Sequence, residues 1–226
     1  MRKPSPEKSR ILIVDDHPLF CEGLRRMIDR HPSLEVCGQV PDAGSAMKAV
    51  AELKPDLVLM DISLEGTNGI DVTKNLKAKY QDLPILIVSM HDEALYAERA
   101  LRAGAQGYIM KNQPIQIVRA AIFKVLGGDI FLSEKMSTSV LAKLLRGKKE
   151  AAEPLSSIKQ LSDRELEVFQ MLGEGKSSRQ IAEALDLTIP TIHSFRNRIK
   201  EKLQFKNSTE LVLHAMQWVA ERLNSS

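Results

Sequence analysis

The sequence predicts an α/β domain built on a doubly wound five-stranded parallel sheet, followed by a second, smaller all-α domain. Three observations predict it: five short, almost continuously apolar runs before residue 110, amphipathic helical stretches between them, and the loss of strand-like runs after residue 127. A strand that is apolar at nearly every position has both faces buried. Strands that alternate with helices pair in parallel, so helices must cover both sides of the sheet.

The strands are read at Ile11-Leu12-Ile13-Val14, at Glu35 to Val40, at Leu57-Val58-Leu59-Met60, at Ile85-Leu86-Ile87-Val88 and at Gly107-Tyr108-Ile109. Helical spacing lies near residues 18–30, 43–53, 69–79, 92–103 and 114–127, with Pro18, Asp42, Gly104, Pro114 and Gly127 where helix ends favour them. A further helix-like stretch runs from about Ser133 to Leu145. Gly147 to Pro154 then reads as a charged tether containing Ala, Gly and Pro. Beyond Leu161 every pattern is helical. Ser162 with Glu165, and Ser177 with Gln180, have capping-box spacing; Thr188 caps a third helix that tolerates Pro190 in its first turn; a fourth runs from Asn207-Ser208 to about Leu223. The expected boundaries are 8–129 for the α/β domain, 130–157 for a linker helix and tether, and 158–226 for the helical domain.

With 226 residues, 43% hydrophobic and 27% charged, the chain has core enough for two modest globular domains. A net charge of +3 excludes a global polycationic field, so any nucleic-acid site must be a local patch. No apolar export segment follows the basic start, and no run is long enough to span a bilayer, so the expected compartment is the cytoplasm. Cys21 and Cys37 lack metal or redox spacing and are read as core thiols.

In an open parallel sheet, ligands sit beyond the carboxyl ends of the strands. Here strand one ends in Asp15-Asp16, strand three in Asp61, strand four in Ser89, and strand five leads to Lys111. Three carboxylates at one edge repel one another unless a cation lies among them, and hard oxygen ligands suit Mg2+. Such a cation shields both a carboxylate nucleophile and an incoming phosphoryl group, while an ammonium and a hydroxyl stabilise the remaining oxygens. Singly, each residue also fits a turn or helix cap. His17, before Pro18, is read as a surface or capping residue rather than a metal ligand.

The segments Ile13-Val14-Asp15-Asp16-His17-Pro18, Leu59-Met60-Asp61-Ile62, Val88-Ser89-Met90 and Tyr108-Ile109-Met110-Lys111 resemble the receiver domain of two-component response regulators over residues 10–127. The resemblance implies a flavodoxin-like receiver with Asp61 as phosphoacceptor. Asp15, Asp16, Asp61 and the carbonyl of Ser63 would then be the Mg2+ ligands, Asp15 through water. Ser89 and Tyr108 become the switch pair and Lys111 the phosphate-pairing lysine. Two positions stand out. Glu65 replaces a common proline and adds a carboxylate beside the site. Met90 is expected to limit the access of water to the phosphoaspartate.

In the second domain, a helix ending near Asp186 and a tight turn at Leu187-Thr188 lead into a helix with Ile192, Phe195, Ile199 and Leu203 on its inward face. Its other face carries His193, Asn197 and Lys200 along one line, flanked by Ser194, Arg196, Arg198 and Lys202, a pattern suited to base edges and phosphates. Leu161-Ser162-Asp163-Arg164-Glu165, Ile181 to Leu185 and Thr191 to Leu203 resemble the LuxR-type helix-turn-helix domain of NarL/FixJ regulators. The resemblance implies DNA contacts from Thr188, Thr191, His193, Ser194, Arg196, Asn197, Arg198 and Lys200. His193 and Phe195 depart from the usual lysine and histidine. The apolar stripe Leu211, Val212, Ala215, Trp218 and Val219 either packs internally or faces a second copy; the resemblance favours a homodimer.

The expected protein is a transcription factor and not an enzyme, controlled by a partner histidine kinase, with double-stranded DNA and RNA polymerase as further partners and no membrane. Its rivals are a phosphorylation-independent regulator, a Mg2+-dependent phosphatase using Asp61, and a protein-binding adaptor. Ser63, where such a phosphatase needs a carboxylate, counts against turnover.

Overall fold

A computed structural model describes residues 8–138, 158 and 160–223. The chain divides into two compact units, Met1–Gly147 and Lys148–Ser226. In the first, strands β1 (Ser9–Val14), β2 (Leu34–Val40), β3 (Leu57–Met60), β6 (Ile85–Ser89) and β7 (Gly107–Met110) form a parallel sheet in the order β2-β1-β3-β6-β7. Helices α1 (Pro18–Asp29), α2 (Ala43–Leu53), α3 (Gly69–Lys79) and α4 (Glu93–Arg102) connect them, and α5 (Ile115–Leu126) follows β7.

All four residues of β3 and all five of β6 are buried, as two-sided coverage requires. Alternate residues point to opposite faces. Ile11, Ile13, Leu57, Leu59, Leu86, Val88 and Ile109 pack with Cys21, Leu24 and Ile28 of α1 and with Val118, Ile122 and Val125 of α5. Leu12 points the other way, towards Leu53 of α2; a Cβ on Gly38 would lie 2.6 Å from Leu53 and 3.1 Å from Leu12. Asp42 caps α2 by accepting from the Ser45 amide. Cys21 is buried and Cys37 half-buried, both as free thiols.

Register places the functional edge. Val14 pairs with Met60, Met60 with Ile87, and Ser89 with Met110, so the residues that follow emerge side by side. A short antiparallel ladder not legible from periodicity, β4 (Ser63–Leu64) with β5 (Thr67–Asn68), follows Asp61. Gly66, at φ +71°, turns it. No further strand follows residue 127 among the described residues, but one isolated bridge does: Phe131 lies along the free edge of β7, its amide donating to Gln106 and its carbonyl accepting from Tyr108. Residues 134–138 are helical behind Ser133, whose hydroxyl accepts from the Met136 amide. The remainder of the expected linker helix and the tether lie outside the described residues.

The second unit contains α6 (Asp163–Gly173), α7 (Ser178–Ala184), α8 (Ile189–Leu203) and α9 (Ser208–Leu223). Both capping boxes form, Ser162 with Glu165 and Ser177 with Gln180, and Thr188 caps α8 with Pro190 in the first turn. Phe169 and Leu172 of α6, Ile181 of α7, Ile192 and Ile199 of α8, and Leu211, Ala215 and Trp218 of α9 are buried. Gly173 permits this packing, since a Cβ there would lie 2.4 Å from the Ala215 carbonyl.

The α9 stripe is therefore used internally. Leu211, Ala215 and Trp218 are core rather than contact residues, with the Phe169 and Trp218 rings 5.5 Å apart; Val212 and Val219 are half-buried. A domain this small needs that face for its own core. Among the described side chains of α9, the large apolar ones left exposed are Leu213 and Met216.

Phe169→Ala should destabilise this unit by about 3–5 kcal/mol. Trp218 is the chain's one tryptophan, so a fall in the urea midpoint of its fluorescence reads the loss directly.

Candidate functional site

The strand ends bring Asp15, Asp61, Ser89 and Lys111 together. The Asp15 and Asp61 side chains are 3% and 2% exposed. Between them the Lys111 ammonium lies 2.7 Å from Asp15 Oδ2 and 2.7 Å from Asp61 Oδ2, with its charge 4.7 Å from the Phe20 ring centroid. The Ile62 amide donates to Asp61 Oδ1 at 2.7 Å and fixes the carboxylate plane. Asp16 is more open, its side chain 29% exposed.

Three carboxylates against one ammonium leave two negative charges in a mostly buried pocket. Burial pushes the Asp61 carboxyl above its usual range. The Lys111 charge opposes that shift and the Asp15 charge adds to it. For Lys111, burial acts to lower the pKa, but the Asp61 and Asp15 charges outweigh it and the ammonium is held more firmly than usual. Cys21, directly behind, has its Sγ 3.5 Å from the Asp15 carbonyl; burial and then the Asp15 charge push its thiol up to about 11, so it is an unreactive core thiol.

Donor atoms of Asp15, Asp16, His17 and Asp61 all lie within 4.8 Å of one another. Asp16 Oδ1 is buried yet accepts no hydrogen bond. A cluster of hard donors with uncompensated charge fits a divalent cation, and Asp15, Asp16 and Asp61 would hold it. His17 is exposed, in line with the surface reading, and its ring is hydrogen-bonded to Asp15 Oδ1. It makes no side-chain cap for α1; its Nδ1 lies 2.7 Å from Asp16, 3.2 Å from Asp15 and 3.9 Å from Asp61.

Ser89 is fully buried, and its Oγ accepts from the His91 amide at 3.3 Å. Tyr108 is also fully buried, donating from its hydroxyl to the His91 carbonyl at 2.8 Å. Burial raises the phenol pKa well above its usual value, with the Ser89 hydrogen bond pulling the other way, so the ring stays a neutral donor. Ser63, in β4, lies with its hydroxyl 2.8 Å from His91 Nε2. His91 thus joins the Ser63 loop to the Tyr108 strand, a role that no sequence pattern announced. Met90 stands 67% exposed, so burial gives no support to the expected water shield. Glu65 is exposed at the turn of the small ladder. Gly69 is obligatory: a Cβ would lie 1.8 Å from the Asp61 carbonyl.

In the second unit α7 and α8 form the expected helix-turn-helix. Thr188, His193, Ser194, Asn197 and Arg198 are exposed; Thr191 and Lys200 are half-buried. Two cations expected on the flanks are engaged within the unit. Arg196 donates to Ser178 Oγ at 2.8 Å, and Lys202 lies 2.6 Å from Glu165 in the capping box. Burial raises the Glu165 pKa, but the bonds from Lys202 and the Ser162 amide more than offset it, and its carboxyl ends below the usual value. Phe195 is half-buried, with the Arg198 guanidinium 5.9 Å from its ring centroid.

A receiver-like acidic pocket and a helix-turn-helix in one chain define a signal-dependent DNA-binding regulator as the class of protein. Comparison with known families agrees: residues 11–123 match the response regulator receiver domain, and residues 159–215 match the bacterial regulatory proteins of the luxR family. The chain belongs to the two-component response regulators of the NarL/FixJ type. Among relatives, it is 31% identical to the transcriptional regulatory protein DegU of Brevibacillus brevis over 95% of this chain and 97% of that one. It is 32% identical to the oxygen regulatory protein NreC of Staphylococcus haemolyticus (strain JCSC1435), over 92% and 96%. A two-component response regulator of the LuxR family from Aurantimonas sp. SI85-9A1 is 34% identical, with a TM-score of 0.58 over 62% of this chain and 99% of that one. Salmonella enterica serovar Typhimurium RcsB, solved bound to a promoter, shares the fold at 22% identity and a TM-score of 0.60, over 93% and 99%. The protein is a DNA-binding transcriptional regulator rather than an enzyme. A receiver implies a histidine kinase partner, and receivers generally bind Mg2+ at such an acidic pocket.

The pocket's excess charge has a measurable sign. A carboxyl whose pKa is raised on folding adds stability below its unfolded value, about 4, and loses it as pH rises through the folded value. At neutral pH ionised Asp61 therefore costs stability. Asp61→Asn should raise the melting temperature in EDTA at pH 7 by a few degrees, about 4–8 °C per kcal/mol in a domain this size, and Mg2+ should stabilise the wild type more than the variant. A lower melting temperature for the variant would contradict this account.

Proposed function

We propose that Asp61 is the phosphoacceptor through which a histidine kinase controls this regulator, and that the second unit reads DNA through the exposed face of α8. The observation that carries the first part is the buried Asp61 carboxylate held between the Ile62 amide and the Lys111 ammonium. An Asp61 oxygen forms a bond to phosphorus as the donor's phosphorus–nitrogen bond breaks. Lys111 then transfers its pairing from the carboxylate to a phosphoryl oxygen, and the Ser89 hydroxyl serves another. Asp15, Asp16, Asp61 and the Ser63 carbonyl would hold Mg2+, which supplies charge neutralisation as the two anions meet. Ser89 and Tyr108 act as the switch pair. Tyr108 is already buried, so phosphorylation stabilises an inward ring rather than drawing in an exposed one.

Residues 8–129 serve as the receiver, 130–157 as the connection and 158–226 as the DNA-binding domain, in the cytoplasm. On DNA the active form is a homodimer, with Leu213 and Met216 of α9 the apolar surface left for a second copy, and RNA polymerase is the downstream partner. Thr188 and Thr191 sit at the N-terminus of α8, where hydroxyls and amides meet phosphate. His193, Ser194 and Asn197 face bases, and Arg198 and Lys200 face phosphates.

Brief incubation with a small-molecule phosphodonor and Mg2+ should add one phosphoryl mass to the wild type and none to Asp61→Asn. An equal adduct on both would place the phosphoacceptor elsewhere, and no adduct on either would favour a phosphorylation-independent regulator.

Arg198→Ala and Lys200→Ala should each weaken DNA binding across sequences and reduce the salt slope by about one. Lys202→Ala should instead lower stability while leaving that slope unchanged, because Lys202 is held by Glu165. Equal slopes for all three would assign them one role. His193→Lys should change the site recovered by binding-site selection, and an identical site would remove His193 from base reading.

A further inference from the structure

We infer that His91 is a positioning residue of the switch: its ring, tied to Ser63 in the loop after Asp61, holds in place the carbonyl that receives the Tyr108 hydroxyl, so Tyr108 is set inward before any phosphoryl group arrives. The inference rests on the reading of Ser89 and Tyr108 as the switch pair and names the side chain that governs the resting state of that pair. Three residues, Met90 to Asp92, join the end of β6 to the start of α4. Their side chains part ways. Met90 stands in solvent, whereas the half-buried His91 turns back, with Nε2 2.8 Å from Ser63 Oγ and its ring centroid 4.7 Å from that of Tyr96. Asp92 closes the connection by accepting from the Ala94 amide at 3.0 Å, as the cap of α4.

Ser63 is a firm post for this tie. It pairs with Asn68 in the small ladder, the preceding Ile62 is fully buried, and Asn68 caps α3 by accepting from the Ile70 amide at 2.9 Å. Tyr96, in the first turn of α4, lies against the other end of the histidine ring's path and resists its swinging out. A connection of three residues, fixed to the sheet at one end and to a capped helix at the other, keeps little freedom beyond the rotation of its peptide planes. The plane that follows His91 carries the carbonyl used by Tyr108, at 2.8 Å.

The two bonds made by the His91 backbone differ in strength. Its amide reaches Ser89 Oγ at only 3.3 Å, so the hydroxyl that must turn to a phosphoryl oxygen is held loosely, while the acceptor of the Tyr108 hydroxyl is held firmly. Ser89 is thereby free to answer the phosphoryl group without first dismantling the site of the inward ring. Without the Ser63 tie, the carbonyl drifts and the buried phenol loses a partner, which favours the outward ring. One hydrogen bond of ordinary worth shifts such a two-state ratio about fivefold.

The test is fluorine NMR of the full chain carrying fluorotyrosine at its three tyrosines, with the Tyr108 resonance assigned by its loss in Tyr108→Phe. In the unphosphorylated wild type that resonance should report a buried ring and shift little when a small-molecule phosphodonor and Mg2+ are added. In His91→Ala it should move toward the position of a solvent-exposed ring and return on phosphorylation. Ser63→Ala, which keeps the Ser63 backbone and the His91 contact with Tyr96, should do the same, and the double variant should move it no further than either single one. A Tyr108 resonance unmoved in Ser63→Ala, or shifts that add in the double variant, would overturn the inference, as would a wild-type ring that turns inward only on phosphorylation. A resonance that moves in Ser63→Ala but fails to return, although the mass shows a phosphoryl adduct, would instead overturn the switch role of Tyr108 and leave the tether by His91 standing.

Discussion

Two nearly inaccessible carboxylates share one ammonium, and the receiver is organised around that arrangement. Lys111 neutralises part of the charge of Asp15 and Asp61, and the remainder keeps the pocket electrostatically unsatisfied. A pocket balanced by its own residues would have little to gain from a cation. The surplus charge makes the site unfavourable when bare and receptive when loaded, so part of the free energy of ligation is stored as repulsion in the resting fold.

Maintaining that repulsion takes an apolar scaffold that cannot relax. Parallel strands buried on both faces fix the spacing of their carboxyl ends, and the side chains that follow inherit it. Close packing reaches the site through Gly69, where helix α3 begins hard against the Asp61 carbonyl. The same logic holds in the smaller unit. There Gly173 lets α9 lie on α6, and the Trp218 stripe is spent on core because four short helices have little apolar surface to spare.

The sheet, its flanking helices and the capped helices of the second unit were legible because their signals are local: apolar runs, helical spacing, and Ser or Thr three residues before Glu, Gln or Thr. Asp15, Asp61, Ser89 and Lys111 were legible because position at a strand end is enough to place them. What escaped was whatever depends on where a long or rotatable side chain ends. His17 reads as a surface residue, and only the structure shows its ring hydrogen-bonded to Asp15. Arg196 and Lys202 read as phosphate contacts until Ser178 and Glu165 are found to hold them. His91 carries no pattern at all; its importance comes from touching Ser63 with its ring and Tyr108 with its carbonyl. The small ladder after Asp61 is two residues per strand, too short for any periodicity to register.

The chain leaves the sheet by an unusual route. Instead of departing at the end of α5, it runs back along the open edge of β7. Phe131 accepts there from the Tyr108 amide, and the Ser133 amide is then secured to Glu93 at the head of α4. The residue whose ring faces the pocket and the residue that begins the outgoing segment are thus separated by one main-chain hydrogen bond. A displacement of the Tyr108 backbone cannot be absorbed by side-chain rotation before it reaches that segment. The exit path is fastened to the edge strand and to α4 by these bonds, so the start of the outgoing segment is part of the sheet's own framework rather than a loose appendage.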